Sequence, residues 1–360
     1  MKPTEPVLLL LAAISAFVVA FLILPVLIKY SLKKNLVVVP GRRMVHKKET
    51  PSLGGIAIFL GFILAAVMWV DLKEWTNMRY AIASLLIIFF LGVRDDLVPF
   101  NAWRKMIGQG AAIVGLLFSD IKINSLYGLF GIYEIPTALT FILTAGFIII
   151  LTNAYNLIDG LDGLAGTVGV IAFLSYGIWF HLADQQVFSL FCFAMVGALL
   201  AFLVFNWQPA EIFMGDTGAM VGGMLLSIVT IYFMNCNEAL PIGHEVKFTS
   251  SIGAAACLIV LPLCDTVRII ILRISRGQSP ITPDKSHIHH GLIRLGLSHA
   301  WATLLLGFLC AGFVGLALAT KNLSHWPTIG IVVGLCTALS ITLDRLLIGK
   351  VAASREAEPD

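Results

Sequence analysis

Asparagine and aspartate side chains recur every third residue in one stretch of the chain: Asn153, Asn156, Asp159 and Asp162. Apolar runs precede and follow this stretch. A carboxylate beside hydrocarbon is costly, so ionisable residues in such places generally have a function. Oxygen ligands that converge without Cys or His favour a hard cation such as Mg²⁺. The stretch therefore predicts a magnesium site at the edge of a membrane, and the alternative is a polar network that joins helices.

Two adjacent carboxylates, Asp95 and Asp96, form a second cluster together with Lys105. Neighbouring carboxylates can share a metal ion or hold a proton between them, whereas a helix cap requires only one of them. Lys105 lies one turn inside the next apolar stretch, where a positive charge requires a negative partner. Either Asp96 or a phosphate group would provide that partner.

A third cluster, Phe213-Met-Gly-Asp216-Thr-Gly, precedes an apolar run. An aspartate at the start of a helix is either a ligand or a common N-terminal cap. Phe213 is either a stacking platform for a planar base or an aromatic residue of the membrane interface.

Basic and imidazole side chains form two further clusters. The first, in residues 40–55, is interpreted as a phosphate-binding loop or as an anchor at lipid headgroups. In the second, histidines that bind phosphate are favoured over a zinc site, because no Cys or additional cluster completes the zinc coordination. Their members are Arg42, Arg43, His46, Lys47 and Lys48 in the first, and Asp265, Arg268, Arg273, Arg276, Asp284, Lys285, His287, His289 and His290 in the second.

The elements that position these clusters are predicted to be membrane-spanning helices. The chain of 360 residues is 58% hydrophobic and 12% charged, whereas soluble globular proteins carry about 25% charged residues. Its 6 cysteines lie mostly in apolar runs, and we expect them to pack as small hydrophobes rather than to form a disulfide. About eleven apolar stretches approach the length that crosses a bilayer: residues 7–29, 53–70, 79–94, 104–119, 137–154, 164–181, 187–206, 214–234, 249–272, 300–320 and 327–347.

The predicted fold class is all-α, a polytopic membrane helix bundle that forms a single domain over residues 1–350. Residues 121–135 alternate around glycines, which predicts a small exterior β-hairpin. Residues 351–360 are predicted to be a disordered cytoplasmic tail. Of the 24 lysines and arginines, roughly three quarters flank one side of this arrangement, which predicts an exterior N-terminus and a cytoplasmic C-terminus. All five polar clusters fall on the predicted cytoplasmic side.

From about Val39 to His299 the chain resembles the polyprenyl-phosphate N-acetylhexosamine-1-phosphate transferase family. Gly92-Val-Arg-Asp95-Asp96 is similar to the family's GxxDD motif. The stretch that begins at Asn153 is similar to NxxNxxDGxDGL, Phe213–Asp216 matches FMGD, and His287-Ile-His289-His290 is similar to the histidine box. The resemblance implies transfer of a sugar-1-phosphate from a UDP-N-acetylhexosamine to a polyprenyl phosphate, with release of UMP and with Mg²⁺ or Mn²⁺ as cofactor.

The resemblance also implies a role for each matching residue. In the family pattern Phe213 stacks on uracil, Asp162 lies near the nucleoside, and Asp95 and Asp96 position or deprotonate the lipid phosphate beside Lys105. The residues carried over are Asp216 and Asp159 as metal ligands; Asp95, Asp96, Asp159 and His289 as catalytic candidates; and Lys105, Asn153, Asn156, Asp162, Phe213, Arg273, His287 and His290 as substrate-binding candidates.

The form of the histidine box separates branches of this family. The peptidoglycan branch, which transfers phospho-N-acetylmuramoyl-pentapeptide, typically has three consecutive histidines, whereas Ile288 interrupts the box here. The resemblance therefore favours the branch that transfers N-acetylglucosamine-1-phosphate to undecaprenyl phosphate in the bacterial inner membrane, on its cytoplasmic face, with the peptidoglycan branch as the alternative. A homodimer is a family-level expectation, and no nucleic-acid partner is expected. From another class, a transporter would place its ionisable residues near the bilayer midplane rather than at helix ends.

Overall fold

A computed structural model describes residues 5–38, 50–275, 277–279 and 287–356 of the chain. The chain divides into two compact units, Met1–Lys247 and Phe248–Asp360, and each is described by itself. The basic loop predicted to bind phosphate lies mostly outside the described residues. So do Arg276, Asp284 and Lys285 of the histidine-containing cluster.

The first unit contains eight α-helices, a short 3-10 helix (Leu129–Gly131) and one short strand pair within the described ranges. The strands β1 and β2 pair antiparallel, with Val38 opposite Thr50. The elements are α1 (Glu5–Lys33), β1 (Val37–Val38), β2 (Thr50–Pro51), α2 (Gly54–Trp69), α3 (Leu72–Leu97), α4 (Ala102–Leu117), α5 (Thr137–Ile158), α6 (Leu164–Leu182), α7 (Gln186–Asn206) and α8 (Gly215–Ala239).

Helix α8 lies at the centre of the first unit and packs against α2, α3, α5 and α6. Of its most apolar 18 residues, 83% are buried inside the protein. Helix α1 packs instead through small side chains, because Ala12, Ala16 and Ala20 form a buried stripe at four-residue spacing. Small residues let helix backbones approach closely, which is a common basis of helix packing in membranes.

The second unit consists of five helices within its described part. Helices α9 and α10 are separated by one residue and bent by 87°. Pro262, in the first turn of α10, has no N–H to donate to the carbonyl of Leu258, which favours a break at this point. The elements are α9 (Ser251–Leu258), α10 (Val260–Ser275), α11 (Ile288–Arg294), α12 (His299–Ala319) and α13 (His325–Glu356).

Each predicted apolar stretch coincides with a helix, and the ninth is the bent pair α9 and α10. Among the described residues, seven helices are long and apolar enough to cross a membrane, and the bent pair would make an eighth. Helix α2 is apolar but shorter. The chain is therefore an all-α polytopic membrane protein, while eleven crossings and their orientation stay predictions.

The predicted exterior β-hairpin is wrong, because residues 121–135 contain no strand. Local turns satisfy the backbone there: the N–H of Leu129 bonds the carbonyl of Leu126, and the N–H of Gly128 bonds that of Ile132. Other backbone groups bond to side chains: the Ile123 N–H donates to Thr144 Oγ1 at 2.9 Å. A hairpin ladder would require these same groups.

A smaller prediction about the cysteines of the second unit is also wrong. Cys264 and Cys336 form a disulfide that joins α10 to α13, because the fold brings two apolar positions 72 residues apart in sequence to 6.4 Å between Cα atoms. Helix α13 continues to Glu356, and the disordered tail over residues 351–360 stays a prediction. Residues 357–360 lie outside the described residues.

Candidate active site

The N-terminus of α8 is capped by a side chain from another helix. Asp96, in the last turn of α3, accepts hydrogen bonds from the backbone N–H of Asp216 at 2.7 Å and of Thr217 at 3.0 Å. Its Oδ2 also accepts from the Thr217 hydroxyl at 2.5 Å. The first N–H groups of a helix have no partner within that helix. One of the two adjacent carboxylates therefore fixes the end of α3 to the start of α8.

The turn that leads into α8 is held by close backbone contacts. The Phe213 N–H donates to the Pro51 carbonyl at 2.7 Å, and the Phe213 carbonyl accepts from the Gly54 N–H at 3.0 Å. Gly215 has a positive φ of 70°, and a Cβ there would lie 1.9 Å from the Ser52 carbonyl oxygen. Only glycine fits both constraints, so the sequence around Asp216 dictates where its side chain emerges.

The carboxylate of Asp216 receives two partners from other helices. Its Oδ1 accepts from Lys105 Nζ of α4, and from Asn156 Nδ2 of α5 at 2.9 Å. Lys105 also lies 3.2 Å from Oδ2 of Asp95, whose side chain is only 5% exposed. Lys105 thus bridges two carboxylates from separate segments. The negative partners are Asp95 and Asp216 rather than the predicted Asp96, because Asp96 is used to cap α8.

Asp159 lies one residue beyond the end of α5 and faces the same group of carboxylates. Desolvation raises its pKa well above the ordinary value, and the negative charges of Asp96 and Asp216 raise it further. A hydrogen bond from the backbone N–H of Gly215 partly opposes this rise. Four carboxyl groups therefore surround one lysine, and burial together with their mutual repulsion opposes the ionisation of all four at once. We call this group the acidic cluster: Asp95, Asp96, Lys105, Asn156, Asp159 and Asp216.

Three other candidates of the first unit are held by hydrogen bonds to residues outside the acidic cluster, although the charge of Asp162 also contributes to the raised pKa of Asp159. Asn153 Nδ2 donates to Gln109 Oε1 at 3.2 Å and to the Ile149 carbonyl at 2.7 Å. Asp162 is 4% exposed and accepts from the Ala210 N–H at 3.2 Å. Phe213 is half-buried and is held through its backbone.

Two buried amides organise these neighbours, although the sequence analysis assigned neither a role. Gln109 is 2% exposed and Asn206 is 3% exposed. Asn206 accepts from the Gly163 N–H at 2.9 Å and donates to the Ile212 carbonyl at 2.8 Å, which joins the turn before α6 to the loop before α8. The signal in the sequence was Asn206, a polar residue at the end of an apolar helix, because a buried amide requires hydrogen-bond partners.

The fit of a metal ion depends on which ion is considered. No group of three or more His, Cys, Asp or Glu side chains in the described ranges forms a ready-made metal cage. Magnesium does not require one, since it is commonly held by one or two carboxylates together with water and substrate phosphates. Asp216 and Asp159, with the excess negative charge around them, fit that donor set.

Three histidines of the second unit are gathered at the start of α11, and we call Asp265, His287, His289 and His290 the histidine cluster. The rings of His287 and His289 are nearly parallel with centroids 5.6 Å apart, and those of His289 and His290 are 4.3 Å apart. Burial, followed by the neighbouring His290, lowers the pKa of His289 to about 3. His289 is therefore neutral at pH 7, when its ring nitrogens can both accept and donate hydrogen bonds.

The two arginines on α10 are held inside the second unit. Arg273 is 7% exposed. Arg268 donates from Nε to Ser340 Oγ at 2.7 Å and forms an ion pair with Asp344 of α13. Arg268 is thus occupied by structural contacts.

Comparisons with known proteins agree with the motifs. The model of the family described as "Glycosyl transferase family 4" matches residues 78–234, which include all six residues of the acidic cluster. A Bacillus subtilis (strain 168) protein named "Probable undecaprenyl-phosphate N-acetylglucosaminyl 1-phosphate transferase" is 30% identical over 326 residues, covering 90% of this chain and 88% of the relative.

Other relatives carry names of the same kind. A Salmonella typhi protein named "Undecaprenyl-phosphate alpha-N-acetylglucosaminyl 1-phosphate transferase" is 28% identical, covering 88% of this chain and 86% of the relative. A Mycolicibacterium smegmatis protein named "Decaprenyl-phosphate N-acetylglucosaminephosphotransferase" is 27% identical, covering 84% of this chain and 80% of the relative. Similarity at this level over nearly the whole chain, together with the four ordered motifs, leads to one conclusion: this chain belongs to glycosyl transferase family 4.

Proposed function

We propose that this protein transfers N-acetylglucosamine-1-phosphate from UDP-N-acetylglucosamine to undecaprenyl phosphate, giving undecaprenyl-pyrophosphoryl-N-acetylglucosamine and UMP. The observation that carries the proposal is the convergence of Asp95, Lys105, Asn156 and Asp216 from α3, α4, α5 and α8. The names of the relatives support the donor and the acceptor. Phosphoryl transfer depends mainly on positioning and on neutralising charge, and this cluster offers both.

The proposed reaction is a direct displacement. An oxygen of the lipid phosphate attacks the β-phosphorus of the donor, the bond between that phosphorus and the bridging oxygen breaks, and UMP leaves with the electron pair. Asp95, 3.2 Å from Lys105 Nζ, is the residue proposed to position or deprotonate the lipid phosphate. The alternative is a covalent intermediate on an aspartate, which trapping of a phosphorylated enzyme from UDP-sugar alone would support.

Magnesium is the proposed cofactor, with Asp216 and Asp159 as the residues that would hold it. When bound, it would supply neutralisation of the charge on the donor phosphates. Lys105 and Asn156 orient the Asp216 carboxylate through its Oδ1. From the family resemblance we expect Phe213 to stack on uracil, Asn153 and Asp162 to bind the donor, and the histidines and Arg273 to contact phosphate.

The proposed setting is the cytoplasmic face of a bacterial inner membrane, at the first membrane step of a cell-envelope polysaccharide. The distribution of lysine and arginine supports this orientation, because cytoplasmic loops carry the excess of positive charge. The homodimer stays a prediction, which the mass of the protein in detergent would test.

The direct test uses the purified protein in detergent with Mg²⁺ and undecaprenyl phosphate. We would compare UMP release from UDP-N-acetylglucosamine, UDP-N-acetylgalactosamine and UDP-N-acetylmuramoyl-pentapeptide. The proposal predicts UMP from the first donor. Release only from the pentapeptide donor would assign the chain to the peptidoglycan branch. A folded protein that releases no UMP from any donor would contradict the proposal.

A further inference from the structure

The carboxylate of Asp265, on α10, contacts two successive residues where α11 begins. Its Oδ2 lies 2.8 Å from His287 Nδ1, and its Oδ1 accepts from the Ile288 backbone N–H at 2.9 Å. Asp265 is 2% exposed and His287 is 5% exposed. One buried carboxylate therefore determines both the backbone and the imidazole orientation at the start of the histidine helix.

The chemistry of this contact assigns a proton to one ring nitrogen. An ionised carboxylate can only accept hydrogen bonds, so Nδ1 of His287 must be the donor. A histidine with its proton on Nδ1 leaves Nε2 for another partner, as a lone pair in the neutral ring or as an N–H in the cation. Partners of this kind commonly fix both the tautomer and the orientation of functional histidines.

Helix α10 is fastened to α13 on the residues that flank Asp265. Cys264 is disulfide-bonded to Cys336, and Arg268 bonds Ser340 and Asp344. The partners recur every four residues on both helices, so one face of α10 meets one face of α13. The carboxylate that orients His287 is thus carried by a helix with little freedom to rotate.

The neighbouring rings depend on the orientation of His287. The His289 ring lies nearly parallel to that of His287, and His289 Nε2 is buried without a hydrogen-bond partner among the described residues. A buried polar atom without a partner is costly and often marks a place where a ligand supplies one. A rotated His287 would disturb the ring beside this atom.

We propose that Asp265 is the positioning residue of the histidine cluster: it holds the His287 ring in one orientation and keeps a proton on Nδ1, so that Nε2 is offered to a phosphate group of the substrate. The identity of the phosphate ligand rests on the proposed function. The orientation of the ring and the place of the proton do not.

Nitrogen NMR of protein labelled with ¹⁵N-histidine locates the proton without any assay of activity. The His287 signals are assigned by their loss in His287→Gln. At pH 8 we expect Nδ1 of His287 to be protonated in the unaltered protein, in either charge state of the ring, and this preference to be lost in Asp265→Asn. An unprotonated Nδ1, or an unchanged proton position in Asp265→Asn, would overturn the proposal.

A double-mutant cycle then tests whether Asp265 acts through His287. Outer partners of functional histidines typically contribute about 10- to 100-fold, so we expect Asp265→Asn to lower kcat/KM for UMP release by that factor. In the His287→Gln background the same change is expected to cost less than about threefold, because the contact is already absent. Losses that multiply would show that Asp265 serves packing alone and would overturn the proposal.

Asp344→Asn is the matched control, since it removes a carboxylate beside α10 without touching His287, while the Cys264–Cys336 disulfide and the Arg268–Ser340 hydrogen bond still hold α10 against α13. It is expected to leave the His287 proton on Nδ1 and to leave kcat/KM within about threefold. If Asp265→Asn does not fold, the proton position in the unaltered protein still decides the proposal, and Asp265→Glu replaces it in the cycle. A folded protein that releases no UMP would refute the proposed function, while the NMR result on Asp265 would stand.

Discussion

The acidic cluster of the first unit brings several ionisable carboxyl groups together, whereas the histidine cluster of the second unit contains a buried histidine that is neutral at pH 7. In the first, carboxylates from separate helices face one another around Lys105, and the pKa of Asp159 rises because desolvation and its neighbours oppose its ionisation. In the second, burial keeps His289 neutral. The difference suggests distinct tasks: the first is suited to a cation and the second to hydrogen bonds with groups that carry their own charge.

The two clusters also differ in how they are assembled. The acidic cluster requires four helices and the backbone contact of the loop before α2 with the turn before α8. The histidine cluster is local, because its three histidines lie within four residues of sequence and one aspartate orients the first of them. Substitutions should therefore affect the acidic cluster through distant packing and the histidine cluster through single contacts.

Removing the central carboxylate should give the largest effect. Asp216→Asn eliminates the charge that Lys105 and Asn156 contact. We expect UMP release to fall about 10²- to 10³-fold, the loss typical of removing one electrostatic contact to a transition state. Asp120→Asn, at an exposed aspartate outside the cluster, is the control and should retain full activity. Activity of Asp216→Asn within twofold of the control would contradict the proposed role.

Adding a methyl group at the tight contact between α2 and α8 should give the next largest effect. A Cβ at Gly55 would lie 2.0 Å from the backbone nitrogen of Gly218. We expect Gly55→Ala to reduce the free energy of unfolding by about 1–3 kcal/mol, as overpacking does, measured as a lower Tm in detergent. In Gly146→Ala the added Cβ meets no atom within 4 Å, so its Tm should not fall. Equal Tm values for both variants would disprove the tight contact.

Acidification should test the neutral state of His289. Its pKa is about 3 in the folded protein against an ordinary 6.5, so between these values the unfolded chain binds a proton that the folded protein does not. Stability should therefore decrease as pH falls below 6.5, by about 1–2 kcal/mol between pH 7 and pH 5. His289→Gln should show a shallower decrease in Tm over this range. Parallel curves for the variant and the unaltered protein would contradict the assignment.

The ion pair between α10 and α13 should give the smallest effect. Asp344 is 42% exposed while Arg268 is 8% exposed, and such half-exposed pairs contribute at most about 1 kcal/mol. We expect Asp344→Asn to lower Tm slightly and to make it less sensitive to salt. A loss of Tm as large as that of Gly55→Ala would contradict this expectation and show that the ion pair is a major support of the second unit.

Much of the fold could be predicted from the sequence, because the length of an apolar stretch and the charges at its ends can be read from that stretch alone. The apolar stretches coincide with helices for that reason. The hairpin at 121–135 was wrong because the turns and the Thr144 hydroxyl compete for the same backbone groups. The Cys264–Cys336 pair was missed because a contact between positions 72 residues apart depends on helix packing.

The candidate site could likewise be predicted only in part. Residue types and spacing identified Asp95, Asp159 and Asp216 as members of a polar cluster, and the structure brings them near one another. The capping of α8 by Asp96 was not predictable, because it depends on where two helix ends meet. The contact of Asp265 with His287 was likewise hidden, since 22 residues separate them.

Detection of the lipid product tests the central proposal most directly. The purified protein and Asp216→Asn would be incubated with UDP-N-acetylglucosamine and undecaprenyl phosphate, with Mg²⁺ or with a chelator, and the lipids analysed by mass spectrometry. We expect undecaprenyl-pyrophosphoryl-N-acetylglucosamine only from the unaltered protein with Mg²⁺. Equal product from Asp216→Asn or in the presence of the chelator, or no product from folded protein with Mg²⁺, would contradict it.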